Sequence, residues 1–141
     1  MKIIFLDFDG VLDRFDEPES FLRLSPSCVE NLNCLIDRCN AEIVISSTWR
    51  ILHPILELKQ ILINAGFKSP DKIIGKTKHL GKRRGKEIQE WLETCEYKIE
   101  SFVIIDDDSD MEPFLDKLVE TDFNVGLTMN DVEKAIDILN K

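Results

Sequence analysis

Short apolar runs that end in acidic or hydroxyl residues alternate along this chain with longer segments of helical periodicity. The runs are KIIFLDFD, EIVISS and SFVIIDDD, all rich in the β-branched and aromatic residues that favour strands. Between them lie amphipathic patterns, the cleanest being GKEIQEWLETC, with Ile88, Trp91, Leu92 and Cys95 on one helical face. Strands that alternate with helices predict a mostly parallel, Rossmann-like sheet in a three-layer α/β fold.

Capping residues and helix breakers set the expected boundaries of these elements. Ser25 and Pro26 predict the start of the first helix, and Gly66 predicts the end of the second. Pro54 lies within that second helical pattern, so it must occupy a first turn or kink the helix. DKIIGKT predicts a short strand, EPFLDKLVETD a short helix followed by an edge strand, and NDVEKAIDILNK a closing helix.

Length and composition suit one soluble globular domain spanning 1–141. The chain is 43% apolar and 32% charged, which is ordinary for a globular protein. No apolar run is long enough to cross a membrane, and the first strand does not read as a signal peptide, so we expect a cytoplasmic protein. The four cysteines show no metal-ligand spacing and are expected to be reduced: Cys28, Cys34, Cys39 and Cys95.

The charge is strongly acidic but unevenly distributed. Against 27 acidic side chains stand 18 basic ones, and the net charge of −9 argues against a general nucleic-acid binder. Segment 76–86, KTKHLGKRRGK, holds 6 of those 18 basic residues and no acid. This basic segment is where a polyanion could bind, although charged runs are more often simply solvated.

The acidic and hydroxyl residues at the carboxyl ends of the predicted strands are expected to lie close together. In parallel sheets, ligands bind beyond the carboxyl ends of the strands. Asp7 and Asp9, Ser46 and Ser47, and the acidic run 106–108 each follow a predicted strand. Gathered carboxylates repel one another unless a cation binds, and hard oxygen ligands without histidine or cysteine favour Mg²⁺.

Such a site suits phosphoryl transfer. One carboxylate can attack phosphorus to form an aspartyl-phosphate, and a second, two residues on, can protonate the leaving oxygen and later activate water. A strand-end hydroxyl and a Lys or Arg would hold the phosphoryl oxygens.

Four motifs, in order, resemble those of the haloacid dehalogenase (HAD) superfamily of phosphatases. DFDGVL resembles motif I, VISSTWR motif II, RGKEI motif III and VIIDDDSD motif IV. SSTWR, RGKEIQEWL and DDDSD together further resemble the small HAD domain of RNA-repair proteins, relatives of polynucleotide kinase-phosphatases. The resemblance implies a HAD-like fold, Mg²⁺ dependence and an aspartyl-phosphate intermediate.

The resemblance also implies residue roles. Asp7 would be the nucleophile and a metal ligand, and Asp9 the general acid/base, whose backbone carbonyl also binds the metal. Asp106 and Asp107 would complete the metal site. The phosphate-binding set would be Gly10, which allows the sharp turn, Ser46 with Ser47 as the alternative, and Arg84 with Lys86 as its competitor.

Three further side chains carry expectations of their own. Asp13 is expected to cap or support a turn. Trp49 is equally suited to the core or to stacking on a base, and Arg50 is a candidate substrate contact, the alternative being a surface Arg.

Short connections predict an open site. Only 36 residues separate Asp9 from Ser46, including a polar flap at 13–25, and another 36 separate Ser47 from Arg84, so neither connection holds a cap domain. An open site suits a phosphorylated RNA or DNA end, or a protein partner that closes over it. Alternatives are a small-nucleotide or phosphoprotein phosphatase and a non-catalytic binding module; a receiver domain is disfavoured because hydroxyls follow EIVI.

Overall fold

A five-stranded, entirely parallel sheet forms the centre of the computed structural model, which describes residues 1–14 and 24–141. Its strands are β1 (Lys2–Leu6), β2 (Glu42–Ile45), β3 (Ile73–Lys76), β4 (Ser101–Asp106) and β5 (Leu118–Glu120). Their spatial order is β3-β2-β1-β4-β5. Most of the polar flap predicted at 13–25 lies outside the described residues.

Within the described ranges, five α-helices connect and cover the strands: α1 (Pro26–Cys39), α2 (Trp49–Leu52), α3 (Ile55–Asn64), α4 (Arg84–Thr94) and α5 (Met129–Leu139). The Ser25 hydroxyl caps α1 by accepting from the Cys28 amide, as predicted. Pro54 divides the predicted second helix into α2 and α3, because it stands in extended conformation immediately before α3. Gly66, at a φ of +104°, follows the end of α3.

The two faces of the sheet build two hydrophobic cores. Alternate strand residues such as Ile4, Leu6 and Ile105 pack with residues of α1, α3 and α5. Their neighbours Ile3, Phe5 and Ile104 pack on the opposite face with Ile88 of α4. The predicted three-layer α/β fold is confirmed.

The strand register brings the predicted motifs to one edge of the sheet. Leu6 pairs with Ile45 of β2 and with Ile105 of β4. The residues that follow these three, Asp7, Ser46 and Asp106, therefore lie at the same edge of the sheet. The ladder continues there, since the Asp7 amide donates to the Ile105 carbonyl and the Ser46 amide to the Leu6 carbonyl.

No described helix has the length and apolar character needed to cross a membrane. The structure has no disulfide among the four cysteines, of which Cys28 is buried and Cys34, Cys39 and Cys95 are partly exposed.

Candidate active site

Three carboxylates converge at the carboxyl edge of the sheet. Asp7 follows β1, Asp106 ends β4 and Asp107 comes next, and each offers an oxygen within 4.8 Å of the others. Asp7 and Asp106 are buried, whereas Asp107 is partly exposed. These three, here called the carboxylate cluster, are three of the four predicted metal ligands.

The guanidinium of Arg84 contacts the carboxylate cluster. Its Nη1 lies 2.9 Å from Asp106 Oδ2 and 3.3 Å from Asp7 Oδ1. Lys86, the alternative considered from sequence, is exposed and instead lines a groove with Leu80, Lys82 and Gln89. The geometry therefore favours Arg84 over Lys86.

Close backbone packing at Gly85 holds Arg84 in place. A Cβ at Gly85 would come within 2.3 Å of the Glu112 carbonyl oxygen, so only glycine allows the first turn of α4 to approach the 110–112 loop this closely. The Gly85 amide donates to the Asp110 carbonyl across that contact. Motif III is thus docked on motif IV.

The pKa values of the two buried carboxyls are raised. Burial raises the pKa of Asp7 to about 6, although the Arg84 charge opposes the rise. Burial, followed by the negative charge of Asp7, raises the pKa of Asp106 to about 8. Burial lowers the pKa of Arg84, but Asp106 and Asp7 outweigh it, so that this pKa is raised overall.

The donor set of the carboxylate cluster fits a hard divalent cation. Three carboxylates and one guanidinium leave a formal charge of −2 when all are ionised. Oxygen ligands without nitrogen or sulfur suit Mg²⁺, which usually takes few carboxylates and keeps several waters. A cation here would relieve the repulsion that raises the pKa of Asp106.

The turn after β1 is shaped for the carboxylate cluster. Gly10 has a φ of +78°, and a Cβ there would lie 2.5 Å from Asp107 Cγ. Its amide donates to Asp13 Oδ1 at 2.7 Å and its carbonyl accepts from Thr121 Oγ1 at 2.7 Å. Gly10 thus makes the predicted sharp turn and Asp13 supports it, whereas the amide of Gly10 is already engaged rather than free to bind phosphate.

Asp9 lies outside the carboxylate cluster. Its side chain is exposed, and its Oδ2 accepts from Trp49 Nε1 at 3.0 Å. The Trp49 ring also packs edge-on against Phe8, with the ring centroids 5.2 Å apart. Trp49 therefore contacts both the core and the predicted general acid, an interaction that the sequence analysis missed.

The two serines after β2 have different surroundings. The Ser47 side chain lies close enough to Asp7 to lower its pKa slightly against the larger effect of burial, and its hydroxyl accepts from the Trp49 amide. Ser46 Oγ is fully buried, with no hydrogen-bond partner in the described part of the chain. This geometry favours Ser47 rather than Ser46 for a phosphoryl contact.

Arg50 is buried, so the alternative of a surface Arg considered from sequence is wrong. Its Nη2 pairs with Glu87 Oε1 at 2.8 Å, and both side chains are at most 5% exposed. Its other donors bond the carbonyls of Ser46, Ser47 and Thr77. Through these contacts Arg50 joins motif II to α4. It also lines the pocket of about 130 Å³ that Arg84 lines, so its role as a substrate contact stays a prediction.

Glu87 is a second residue that the sequence analysis missed. It stands within the RGKEI motif, three residues after Arg84, and its Oε2 accepts from the Leu80 amide at 2.7 Å. The Arg50–Glu87 pair thereby fixes the basic segment against α4.

The basic segment lies beside the site, and its residues differ in their exposure and their contacts. Lys76 Nζ donates to the backbone carbonyls of Arg50 and His53, which is a structural role. Lys78, Lys82 and Arg83 are exposed. Lys82 lines a pocket of about 130 Å³ that Arg84 also lines.

Comparison with known proteins gives one match. The family model described as the HAD domain in Swiss Army Knife RNA repair proteins matches residues 3–132. No curated protein and no solved structure matches the chain.

Proposed function

Since the chain belongs to the family of HAD domains in Swiss Army Knife RNA repair proteins, we propose that it is a Mg²⁺-dependent phosphomonoester hydrolase acting on phosphorylated nucleic-acid ends. The observation that carries the proposal is the convergence of Asp7, Asp106 and Asp107 within 4.8 Å. Arg84 supports it by contacting the carboxylates of Asp7 and Asp106 from α4.

Asp7 is the proposed nucleophile. One of its carboxylate oxygens attacks phosphorus, the bond from phosphorus to the leaving oxygen breaks, and Asp9 gives that oxygen its proton. Water then attacks the aspartyl-phosphate, Asp9 takes a proton from that water, and the bond between phosphorus and the Asp7 oxygen breaks to release inorganic phosphate. The exposed position of Asp9 allows proton exchange with solvent between the two steps.

The remaining residues position and neutralise the phosphoryl group. Arg84 contacts Asp7, and the Ser47 side chain lies close enough to influence the pKa of Asp7, so a phosphoryl group bonded to Asp7 would lie near both. Asp7, Asp106 and Asp107 would hold Mg²⁺ together with the Asp9 carbonyl. When bound, the cation offsets the negative charge of these carboxylates and of the phosphoryl oxygens.

The nucleic-acid substrate is supported by access and charge. The connection from Ser47 to Arg84 contains only α2, α3, a 3₁₀ turn, β3 and the basic segment, with no inserted domain. The exposed Lys78, Lys82 and Arg83 precede Arg84 at the edge of the site. A polyanion could therefore approach Arg84 past positive charge in an otherwise acidic protein.

A substrate panel with and without Mg²⁺ tests the activity. We expect hydrolysis of phosphorylated oligonucleotides, abolished by EDTA and reduced about 10³-fold or more by Asp7→Asn. Asp137→Asn makes the same chemical change at an exposed position on α5 and should retain activity. Equal activity of Asp7→Asn and the parent protein would exclude Asp7 as the nucleophile.

Charge neutralisation tests the substrate class. The triple change of Lys78, Lys82 and Arg83 to Gln should weaken hydrolysis of oligonucleotide ends far more than hydrolysis of p-nitrophenyl phosphate. The matched control changes Lys98, Lys134 and Lys141 to Gln, which alters the net charge equally at exposed positions elsewhere. Equal effects of the two triple variants would argue against a role of the basic segment in binding a polyanion.

A further inference from the structure

An open pocket of about 490 Å³ lies beside Asp9. Trp49, Ile51, Leu52 and His53 line most of it and are here called the apolar shelf. Leu52 is 83% exposed and Ile51 is 47% exposed, although both are large apolar side chains. Contiguous apolar side chains left in water at the edge of a reaction centre typically mark a binding surface.

The apolar shelf lies beside Asp9, where the proposed function places the leaving group of the substrate. In the proposed function, Asp9 protonates the leaving oxygen, so the group attached to that oxygen lies against Asp9. The Trp49 indole touches Asp9 directly through its Nε1 hydrogen bond of 3.0 Å. The shelf therefore faces the part of the substrate beyond the phosphate.

Basic groups border the apolar shelf on one side. The neighbouring pocket shares Thr48 and Ile51 with it and is also lined by Lys82 and Arg84. The acids Glu87 and Asp110 line it too, and Glu87 is paired with the buried Arg50. A bound molecule thus meets an aromatic and aliphatic surface next to positive charge. A nucleotide chain has this composition, since planar bases alternate with anionic phosphates.

An aromatic ring favours a base over an aliphatic group as the occupant. The Trp49 ring is half-buried, held by Phe8 at one edge and by the hydrogen bond to Asp9, so it is pre-oriented rather than free to rotate. Bases stack on such fixed aromatic surfaces with little dependence on sequence.

We propose that the apolar shelf binds the terminal nucleobase of a phosphorylated oligonucleotide. The enzyme then recognises the nucleoside that carries the phosphate, whereas the basic segment contacts the phosphates of the rest of the strand. This inference rests on the proposed function, because that function places the leaving group at Asp9.

Two oligonucleotides that differ only in the terminal base test the proposal. One carries a normal terminal nucleotide with a phosphate at its 3′ or 5′ end, and the other carries an abasic tetrahydrofuran residue with the same phosphate. We expect kcat/KM to be about 10-fold higher for the oligonucleotide with the base. Leu52→Ser should reduce this ratio about 3-fold or more. Leu56→Ser, which changes a leucine that is 76% exposed but does not line the pocket, should keep it.

Binding without turnover provides a separate measurement. In Asp7→Asn combined with Trp91→Phe, Trp49 is the remaining tryptophan, and its fluorescence should be quenched more strongly, and at lower concentration, by the oligonucleotide with the base. Equal binding and equal kcat/KM for the two oligonucleotides would overturn the proposal, even with hydrolysis intact. That result would leave a docked protein partner as the explanation for the exposed leucine.

The two measurements separate failure of the inference from failure of the proposed function. Base-dependent quenching without hydrolysis of either oligonucleotide would contradict the phosphatase and support the apolar shelf. Hydrolysis that depends on Asp7 but not on the base would support the phosphatase and contradict the apolar shelf.

Discussion

Two groups of charged residues, each combining carboxylates with one arginine, lie at the same edge of the sheet and differ in charge balance. The Arg50–Glu87 pair has one charge of each sign, and its remaining hydrogen-bonding groups meet backbone partners such as the Thr77 carbonyl and the Leu80 amide. The carboxylate cluster sets three acids against Arg84.

The difference separates a structural role from a chemical one. A buried ion pair with satisfied hydrogen bonds needs no further ligand and fixes the elements it joins. A buried cluster with excess negative charge is stable only if it takes up protons or a cation. Burial raises the pKa values of both Asp7 and Asp106, and the negative charge of Asp7 raises that of Asp106 further.

The largest effect is expected from breaking the balanced pair. Glu87→Gln leaves the Arg50 guanidinium buried without an opposite charge, which should lower the free energy of unfolding by about 3 to 5 kcal/mol. Urea unfolding monitored by circular dichroism measures the loss. Glu93→Gln, an exposed position on the same helix, should have little effect. A loss no larger than that of the control would show that the pair is not required for stability.

The carboxylate cluster should instead make stability depend on pH. Without metal, the folded protein keeps protons on Asp7 up to a pKa of about 6 and on Asp106 up to about 8, whereas the unfolded chain releases them near 3.8. The folded state therefore binds more protons across this range, and the free energy of unfolding falls as pH rises from about 4 to 8. Moving one carboxyl pKa from 3.8 to about 6 corresponds to roughly 3 kcal/mol.

Thermal unfolding at a series of pH values checks this linkage. In EDTA, Tm should fall toward pH 8, and Mg²⁺ should raise it most at the high-pH end, where the cluster is ionised. Asp7→Asn should flatten the pH dependence. A slope that is unchanged in Asp7→Asn would mean that other groups cause it.

The convergence of the motifs was predictable from sequence because it depends on backbone topology. Once β1, β2 and β4 are identified as parallel strands, the residues that follow them share an edge whatever their side chains do. The choice between Arg84 and Lys86 could not be made from the sequence, because it depends on the close backbone contact at Gly85. That contact places Arg84 against Asp106.

The remaining features depend on partners that are distant in sequence. Arg50 and Glu87 are 37 positions apart, and nothing in either local pattern indicates that they pair. Trp49 donates to Asp9 across 40 positions. Ser46 and Ser47 are adjacent, but a one-residue step at a strand end turns a side chain toward a different environment, so residue type alone does not distinguish them.

A moderate effect is expected at the turn that supports the carboxylate cluster. Gly10→Ala places a Cβ 2.5 Å from Asp107 Cγ at a φ of +78°. We expect a loss of about 1 to 2 kcal/mol in the free energy of unfolding and about 10-fold weaker Mg²⁺ binding by isothermal titration. Gly81→Ala introduces similar backbone strain at a φ of +66°, but with no atom within 4 Å of the new Cβ. If both variants bind Mg²⁺ equally, the displacement of Asp107 has no influence on the metal site.

The smallest effect is expected at Asp9, which lies outside both groups of charged residues and accepts a hydrogen bond from the neutral indole of Trp49. Trp49→Phe keeps an aromatic ring against Phe8 but removes the hydrogen bond to Asp9 Oδ2. Because one such bond contributes about 1 kcal/mol, kcat should fall about 5-fold while stability changes little. Trp91→Phe is the matched control, since Trp91 packs against Phe5 and Tyr97, away from the carboxylates. Equal kcat values for the two variants would show that the hydrogen bond from Trp49 does not contribute to the function of Asp9. The geometry that matters for activity would then be that of the carboxylate cluster alone.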